Sequence, residues 1–179
     1  MKPYVIAEMG VNFYDTAKKL NINPLEAAKM YIDAAAEAGI DCAKFQSYKA
    51  GTIVSKNSPA YWDLTKEPTK TQYELFLKHD SFGECEYREL CKYTHDKGMD
   101  FTSTPFDYAS ADYLYDMVDF YKISSSDLSN LPFIHHIGAK GKPVFVSVGA
   151  AYLSECDEAI RALQESGCKD IVVFHCVLS

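Results

Sequence analysis

Residues 37–46 read Glu37-Ala38-Gly39-Ile40-Asp41-Cys42-Ala43-Lys44-Phe45-Gln46. An alanine-rich helical run stops at a glycine, and an apolar, β-prone run follows within a few residues. The same junction recurs as DKGMDFTSTPF at 96–106, AKGKPVFVSVG at 139–149 and ESGCKDIVVFHC at 165–176. Glycine just past a helix adopts the left-handed conformation that closes the last turn, so each junction predicts a helix stop and then a strand.

With the opening apolar run, six strands are predicted, over 4–10, 41–48, 100–106, 120–125, 143–149 and 171–178. Helical patterns lie between them at 24–39, 72–78, 84–97, 108–117, 131–140 and 153–166. The clearest helix start is Asn23-Pro24-Leu25-Glu26: Asn23 caps, Pro24 suits the first helical position, and Glu26 reaches back to complete a capping box. Strands alternating with helices imply right-handed crossovers and a parallel sheet covered by helices. The single glycine of AEMGVNFYD leaves no phosphate-cradling loop of the nucleotide-binding kind after the first strand. The expected fold is therefore an α/β chain of the (β/α)8 TIM-barrel type. Such barrels take about 250 residues and eight units, whereas six units are legible over residues 1–179 and the sequence stops at HCVLS directly after an apolar strand. One partial barrel domain, cut after its sixth strand, is the expectation. Residues 49–71 form one long non-periodic stretch, expected to be a lid or binding segment or else a tolerated insertion.

Composition narrows the function classes. Of 179 residues, 47% are hydrophobic and 24% charged, as in a chain that folds around a core. A net charge of −7 and the lack of any basic run argue against nucleic acid or an anionic membrane as partner. The opening apolar stretch is broken by Glu8 and is too short for a signal segment or a bilayer span, which points to the cytoplasm. The six cysteines are scattered without metal-site spacing and read as reduced structural thiols.

Polar residues gather toward the C-terminal strand ends, where parallel α/β folds place their chemistry. They are Glu8, Lys44 with Gln46, Ser103 with Thr104, Lys122 with Ser124 to Ser126, Ser147 and His175. Strand pleating points Lys44 and Gln46 the same way, and an inward lysine is costly unless it meets an anion or a carboxylate. Two lysines, a carboxylate and several hydroxyls suit an anionic substrate bearing phosphate or carboxylate. Alternatives stay open for each. Glu8 acts in catalysis or merely pairs with a lysine across the barrel. Lys122 binds an anion or forms a Schiff base. The serines at 124–126 are ligands or helix-entry caps, and His175 is a metal ligand, a proton carrier or a wall residue. His135 and His136 fall on a helix as surface or packing residues.

In order, IAEMGVN, AAAEAGIDCAKFQSY, TQYELF, FTSTPFD, YKISSSDLSNLPFI, GKPVFVSVGAA and IVVFHCVLS resemble the N-acetylneuraminate (sialic acid) synthase family over nearly the whole chain. The resemblance implies condensation of phosphoenolpyruvate with N-acetylmannosamine or a related 2-acetamido sugar, giving a nine-carbon 2-keto sugar acid and phosphate. It also implies a divalent metal, manganese or magnesium, and a homodimer. By position, Lys44, Thr104, Lys122, Ser125 and Ser147 match residues that hold phosphoenolpyruvate, Glu8 matches the active-site glutamate, and Gln46 matches a sugar contact.

Three departures stand out. GVN continues with Phe13-Tyr14-Asp15 where many relatives have His-Asn-Gly, and Ser147-Val148-Gly149-Ala150 replaces Ser-Thr-Gly-Met. The family's metal-binding histidines and its C-terminal antifreeze-like domain would lie beyond residue 179, so no metal ligand is expected within this chain and the isolated fragment is expected to be inactive. The alternative acceptors are those of legionaminic acid, pseudaminic acid or spore-coat polysaccharide synthesis. Outside synthases stand a Schiff-base aldolase using Lys122 and a non-catalytic truncated barrel.

Overall fold

The structure, a computed structural model, describes residues 2–177. The chain runs β1 (Ile6–Gly10), α1 (Phe13–Leu20), α2 (Pro24–Glu37), β2 (Cys42–Ser47), α3 (Ala50–Ile53), α4 (Gln72–Leu77), α5 (Glu84–Asp96) and β3 (Asp100–Pro105). It continues with α6 (Tyr108–Tyr113), β4 (Tyr121–Ile123), α7 (Leu131–Gly138), β5 (Val144–Ser147), α8 (Leu153–Glu165) and β6 (Ile171–Phe174), with 3-10 turns at Leu114–Asp116 and Ser125–Asp127. The four junction glycines, Gly39, Gly98, Gly141 and Gly167, all have positive φ, between 72° and 90°, as the helix-stop reading requires. The capping box at Asn23 forms, Asn23 accepting from Leu25 N at 2.8 Å and Glu26 accepting from Asn23 N.

All strand pairs are parallel, in the orders β1-β2-β3 and β4-β5-β6. The two sheets abut along β3 and β4, where Thr102 Oγ1 donates to Phe120 O at 2.7 Å and Asp119 N to Phe101 O at 3.3 Å. Of the expected TIM-type barrel the structure has the α/β alternation and two three-stranded parallel sheets, and no closed ring is formed among the described residues. The strands are shorter than the apolar runs that announced them: β1 starts late, at Ile6, and β2 to β6 stop early as their C-terminal ends turn into loops; residue 178, the expected end of the sixth strand, lies outside the described residues. Strand β4 stops at Ile123, since Ser124 caps the next 3-10 turn, its Oγ accepting from Ser126 N.

Alternate strand residues face the helices and build the core. Phe45, Phe101, Tyr121, Ile123, Val144 and Val146 are buried with Ala28, Ile32, Leu90, Leu114, Phe133, Ile137 and Leu163 of the surrounding helices. Each large side chain so buried stabilises the fold by about 1.5–3 kcal/mol. The opposite strand faces carry an aromatic layer that runs from Phe120, just before β4, to Phe174, the last residue of β6, Phe120 stacking on Phe145 at 4.0 Å and Phe145 meeting Phe174 edge-on at 5.7 Å. Above that layer the inner face turns polar.

Two elements were not legible. Helix α1 has no side-chain N-cap, but it buries Phe13, Tyr14 and Ala17 and ends at left-handed Asn21. The Phe13 ring stacks on Phe82 at 5.0 Å and meets Phe45 at 5.9 Å, which accounts structurally for an aromatic residue following GVN. The 49–71 stretch is more ordered than expected: it contains α3 and an antiparallel bridge between Pro59 and Thr71.

Candidate active site

Glu8, Lys44, Gln46, Thr104, Lys122, Ser125 and Ser147, the residues singled out from sequence, all line one pocket of about 190 Å³ with Phe106, Ser124 and Cys176. Register explains the convergence. Glu8 is the partner of Lys44 across β1 and β2, and Gln46 of Thr104 across β2 and β3. Lys122 comes from β4 and Ser147 from the end of β5. Ser125 opens the 3-10 turn after β4, and Cys176 follows β6.

The two lysines are 8% and 6% exposed, for Lys44 and Lys122 respectively, and only the first is paired with a carboxylate. Lys44 forms an ion pair with Glu8, whose side chain is half exposed, and donates to Thr104 Oγ1 at 3.3 Å. Lys122 has no carboxylate: its Nζ donates to Ser147 Oγ and to Ile123 O, each at 2.6 Å, and lies 5.6 Å from the centre of the Phe174 ring. Burial first, and the Lys44 charge second, pull its ammonium down to about 8. The pocket is therefore a cationic recess with a hydroxyl lining.

Its rim depends on a close approach. Gly149 sits at φ 54°, and a Cβ there would stand 2.5 Å from Ser125 Cβ, so only glycine lets the β5 and β4 loops meet. Cys176 was read as one more structural thiol. It is two residues beyond inward-facing Phe174, a strand-parity signal that could have placed it in the pocket. The Gly149 N–H foremost, then the Ser147 hydroxyl, the Val148 N–H and the Lys122 charge, outweigh burial and hold its thiol below the ordinary range.

Other candidates fall elsewhere. Ser103 alternates to the helix side and is buried against Ser47 Oγ at 2.6 Å. His175 is exposed and does not line the pocket. His135 and His136 lie on α7, bonded to Ser166 and Asp112 at 2.7 Å each. The pocket's donor set, one carboxylate tied to an ammonium beside a second ammonium, does not fit a divalent cation. Among the described residues no group of three or more His, Cys, Asp or Glu could hold a metal. No described helix is long and apolar enough to cross a membrane.

A second cavity of about 380 Å³ shares Gln46 and Phe106 with the first, and is walled by Tyr48, Thr52, Ile53, Val54, Gln72, Phe76, Ser126, Asp127 and Asn130. Burial raises the Asp127 carboxyl above its usual range. The 49–71 segment thus lends Thr52, Ile53 and Val54 to this wall, and α4 lends Gln72 and Phe76.

Comparison with known proteins gives the chain's family. The family model described as "NeuB family" matches residues 31–179. The chain is 34% identical over 177 residues to the uncharacterized protein MJ1065 of Methanocaldococcus jannaschii, covering 98% of this chain and 46% of that one. It is 33% identical over 183 residues to N,N'-diacetyllegionaminic acid synthase of Legionella pneumophila, covering 98% and 49%. Among solved structures, the N-acetylneuraminic acid (sialic acid) synthetase of Leptospira borgpetersenii, in complex with citrate, matches with a TM-score of 0.80 and 28% identity, over 98% of this chain and 54% of that one. The chain spans about half the length of these relatives.

Proposed function

The chain belongs to the NeuB family of sugar acid synthases, and on that premise we propose that its pocket binds phosphoenolpyruvate for condensation with a 2-acetamido sugar, N-acetylmannosamine or a close relative. The observation that carries this is the meeting of two buried lysines and the hydroxyls of Thr104, Ser125 and Ser147 around about 190 Å³. Phosphoenolpyruvate offers two anionic groups, and two ammonium groups on different strands fix both ends of it. Held so, carbon 3 is oriented toward an acceptor aldehyde, and the orientation itself lowers the barrier. The hydroxyls take the remaining oxygens of the carboxylate and the leaving phosphate. Glu8, half exposed beside Lys44, is the one carboxylate in the pocket and the group placed to carry a proton at the sugar or the attacking water.

The acceptor's place is the adjoining cavity. Gln46 borders both spaces, and the mixture of aromatic walls with Gln72, Asp127 and Asn130 suits a polyhydroxylated ring with an apolar face. The 33% identity to a diacetyllegionaminic acid synthase favours a second acceptor, the diacetamido sugar of legionaminic acid synthesis, with donor chemistry unchanged.

The test is phosphate release by the full-length polypeptide that contains these residues. Release is expected only when phosphoenolpyruvate and an acceptor sugar are both present, and a panel of mono- and diacetamido sugars ranks the acceptors. Release indifferent to the sugar, or none with any of them, would overturn the reading.

A further inference from the structure

We propose that Lys122 captures short 2-oxo acids such as pyruvate as a reversible iminium in the same pocket, an activity distinct from phosphoenolpyruvate condensation. The two lysines are not equivalent. Lys44 is held by the Glu8 carboxylate, so its charge is anchored and available to bind a substrate carboxylate. Lys122 has only neutral partners, Ser147 Oγ and Ile123 O at 2.6 Å, with the Phe174 ring on one side. The groups facing it are Glu8 from β1, Lys44 from β2, Thr104 from β3, Ser147 from β5 and Cys176 after β6.

An amine desolvated beside a second cation gives up its proton near neutrality and becomes a nucleophile. The fall of the Lys122 ammonium to about 8 has that origin. Lys44 and Lys122 line the same pocket, so an oxo acid whose carboxylate pairs with Lys44 is held there with its carbonyl carbon for Nζ to attack. The Nζ lone pair forms the C–N bond, the carbonyl π pair moves onto oxygen, and one N–H proton passes from nitrogen to that oxygen, giving a neutral carbinolamine. Nitrogen then expels that oxygen as water, one further proton being consumed, and the iminium results; hydrolysis runs the same steps backward. Ser147 Oγ, already hydrogen-bonded to Nζ, is the hydroxyl placed to pass the proton from nitrogen to the departing oxygen. Phosphoenolpyruvate has no carbonyl at carbon 2, so it competes for the pocket without reacting.

The proposal does not depend on the synthase activity, and the two fail separately. Full-length protein is treated with pyruvate and cyanoborohydride and its peptides are mapped by mass spectrometry, while phosphate release is assayed on the same preparation. Expected is a reduced adduct concentrated on Lys122, absent with lactate, suppressed by phosphoenolpyruvate and slowed roughly tenfold or more in Ser147→Ala. Trapping should rise about tenfold per pH unit below pH 8 and flatten above it, whereas an ordinary lysine keeps gaining to about 10.4. Adducts scattered over surface lysines, an unmodified Lys122, or a profile still climbing past pH 10 would overturn it. Because the wild-type map is decisive by itself, misfolding of a variant leaves the outcome readable.

Discussion

Lys122 is a residue the fold holds at a cost. Desolvation disfavours its charged form, so between about pH 8 and the ordinary lysine value of 10.5 the unfolded chain binds more protons than the folded one. The sign follows: stability contributed at this site rises with pH across that window, and the penalty is fully present below about 8. Lys122→Met is therefore expected to raise stability at pH 7 by about 1–3 kcal/mol and to abolish turnover. Denaturant unfolding at pH 7 and pH 10 checks it, since the stabilisation should shrink at the higher pH. Glu8 gives the complementary case. Glu8→Gln leaves Lys44, 8% exposed, without its carboxylate, so the pocket becomes more cationic. Phosphate release should fall by about 10²–10⁴-fold while the KM for phosphoenolpyruvate falls or holds; a KM that rises in step with lost kcat would assign Glu8 to substrate binding instead. Both residues were legible because a charged side chain in an apolar strand needs a reason. Cys176 was not, because a cysteine reads as ordinary core until strand parity is known.

At the scale of elements, the 49–80 excursion is fastened at its base. Lys49 Nζ donates to Asp80 O at 2.5 Å and Phe82 O at 2.8 Å, and Ala50 N returns a bond to Asp80 Oδ2 at 2.9 Å. Asp107, just past β3, caps α6 through Ser110 N at 2.7 Å and accepts from Thr52 Oγ1 at 2.5 Å and from Lys49 N at 3.3 Å. Beyond that base the segment's bonds are mostly its own, such as Trp62 Nε1 to Glu67 O at 3.1 Å. Asp107→Asn weakens the accepting carboxylate and keeps its shape. The expected result is faster proteolytic nicking between residues 55 and 70 and a KM for the acceptor raised about 5- to 50-fold, roughly 1–2 kcal/mol for one charge-assisted bond, with donor KM little changed. The β4 and β5 loops make the parallel case: Gly149→Ala forces a Cβ to 2.5 Å from Ser125 at φ 54°, and thermal unfolding should show a loss of about 1–3 kcal/mol. Helix stops and strand runs were legible here because glycine and apolar periodicity are local signals. Helix α1 and the ordered 49–71 segment were not, since Phe13 is buried against Phe82, distant in sequence, and the Pro59–Thr71 bridge spans a stretch with no apolar periodicity to announce it.

At the scale of the molecule, the six strands surround an inner face that is polar at one end and apolar at the other. The mainly apolar end is open: Tyr4, Ile6, Phe120, Pro143, Phe145, Val172 and Phe174, together with Asp100 and Asp119, line a cavity of about 530 Å³. Val172 and Val173 of β6 are 40% and 46% exposed. Among the described residues β6 pairs only with β5, and a parallel edge so left, with apolar side chains beside it, invites association. Relatives with about twice this length match the chain over nearly all of it, so in them further chain is available to cover such a face. The consequence is measurable with two polypeptides: residues 1–179, and the Legionella pneumophila relative, about twice as long. Residues 1–179 are expected to bind a hydrophobic dye strongly, to elute as aggregates and to release no phosphate, while the longer relative binds little dye. Monodisperse, dye-negative and catalytically competent residues 1–179 would show that six parallel strands suffice. The polar mouth would then be a self-sufficient catalytic surface, and the apolar end would need no cover.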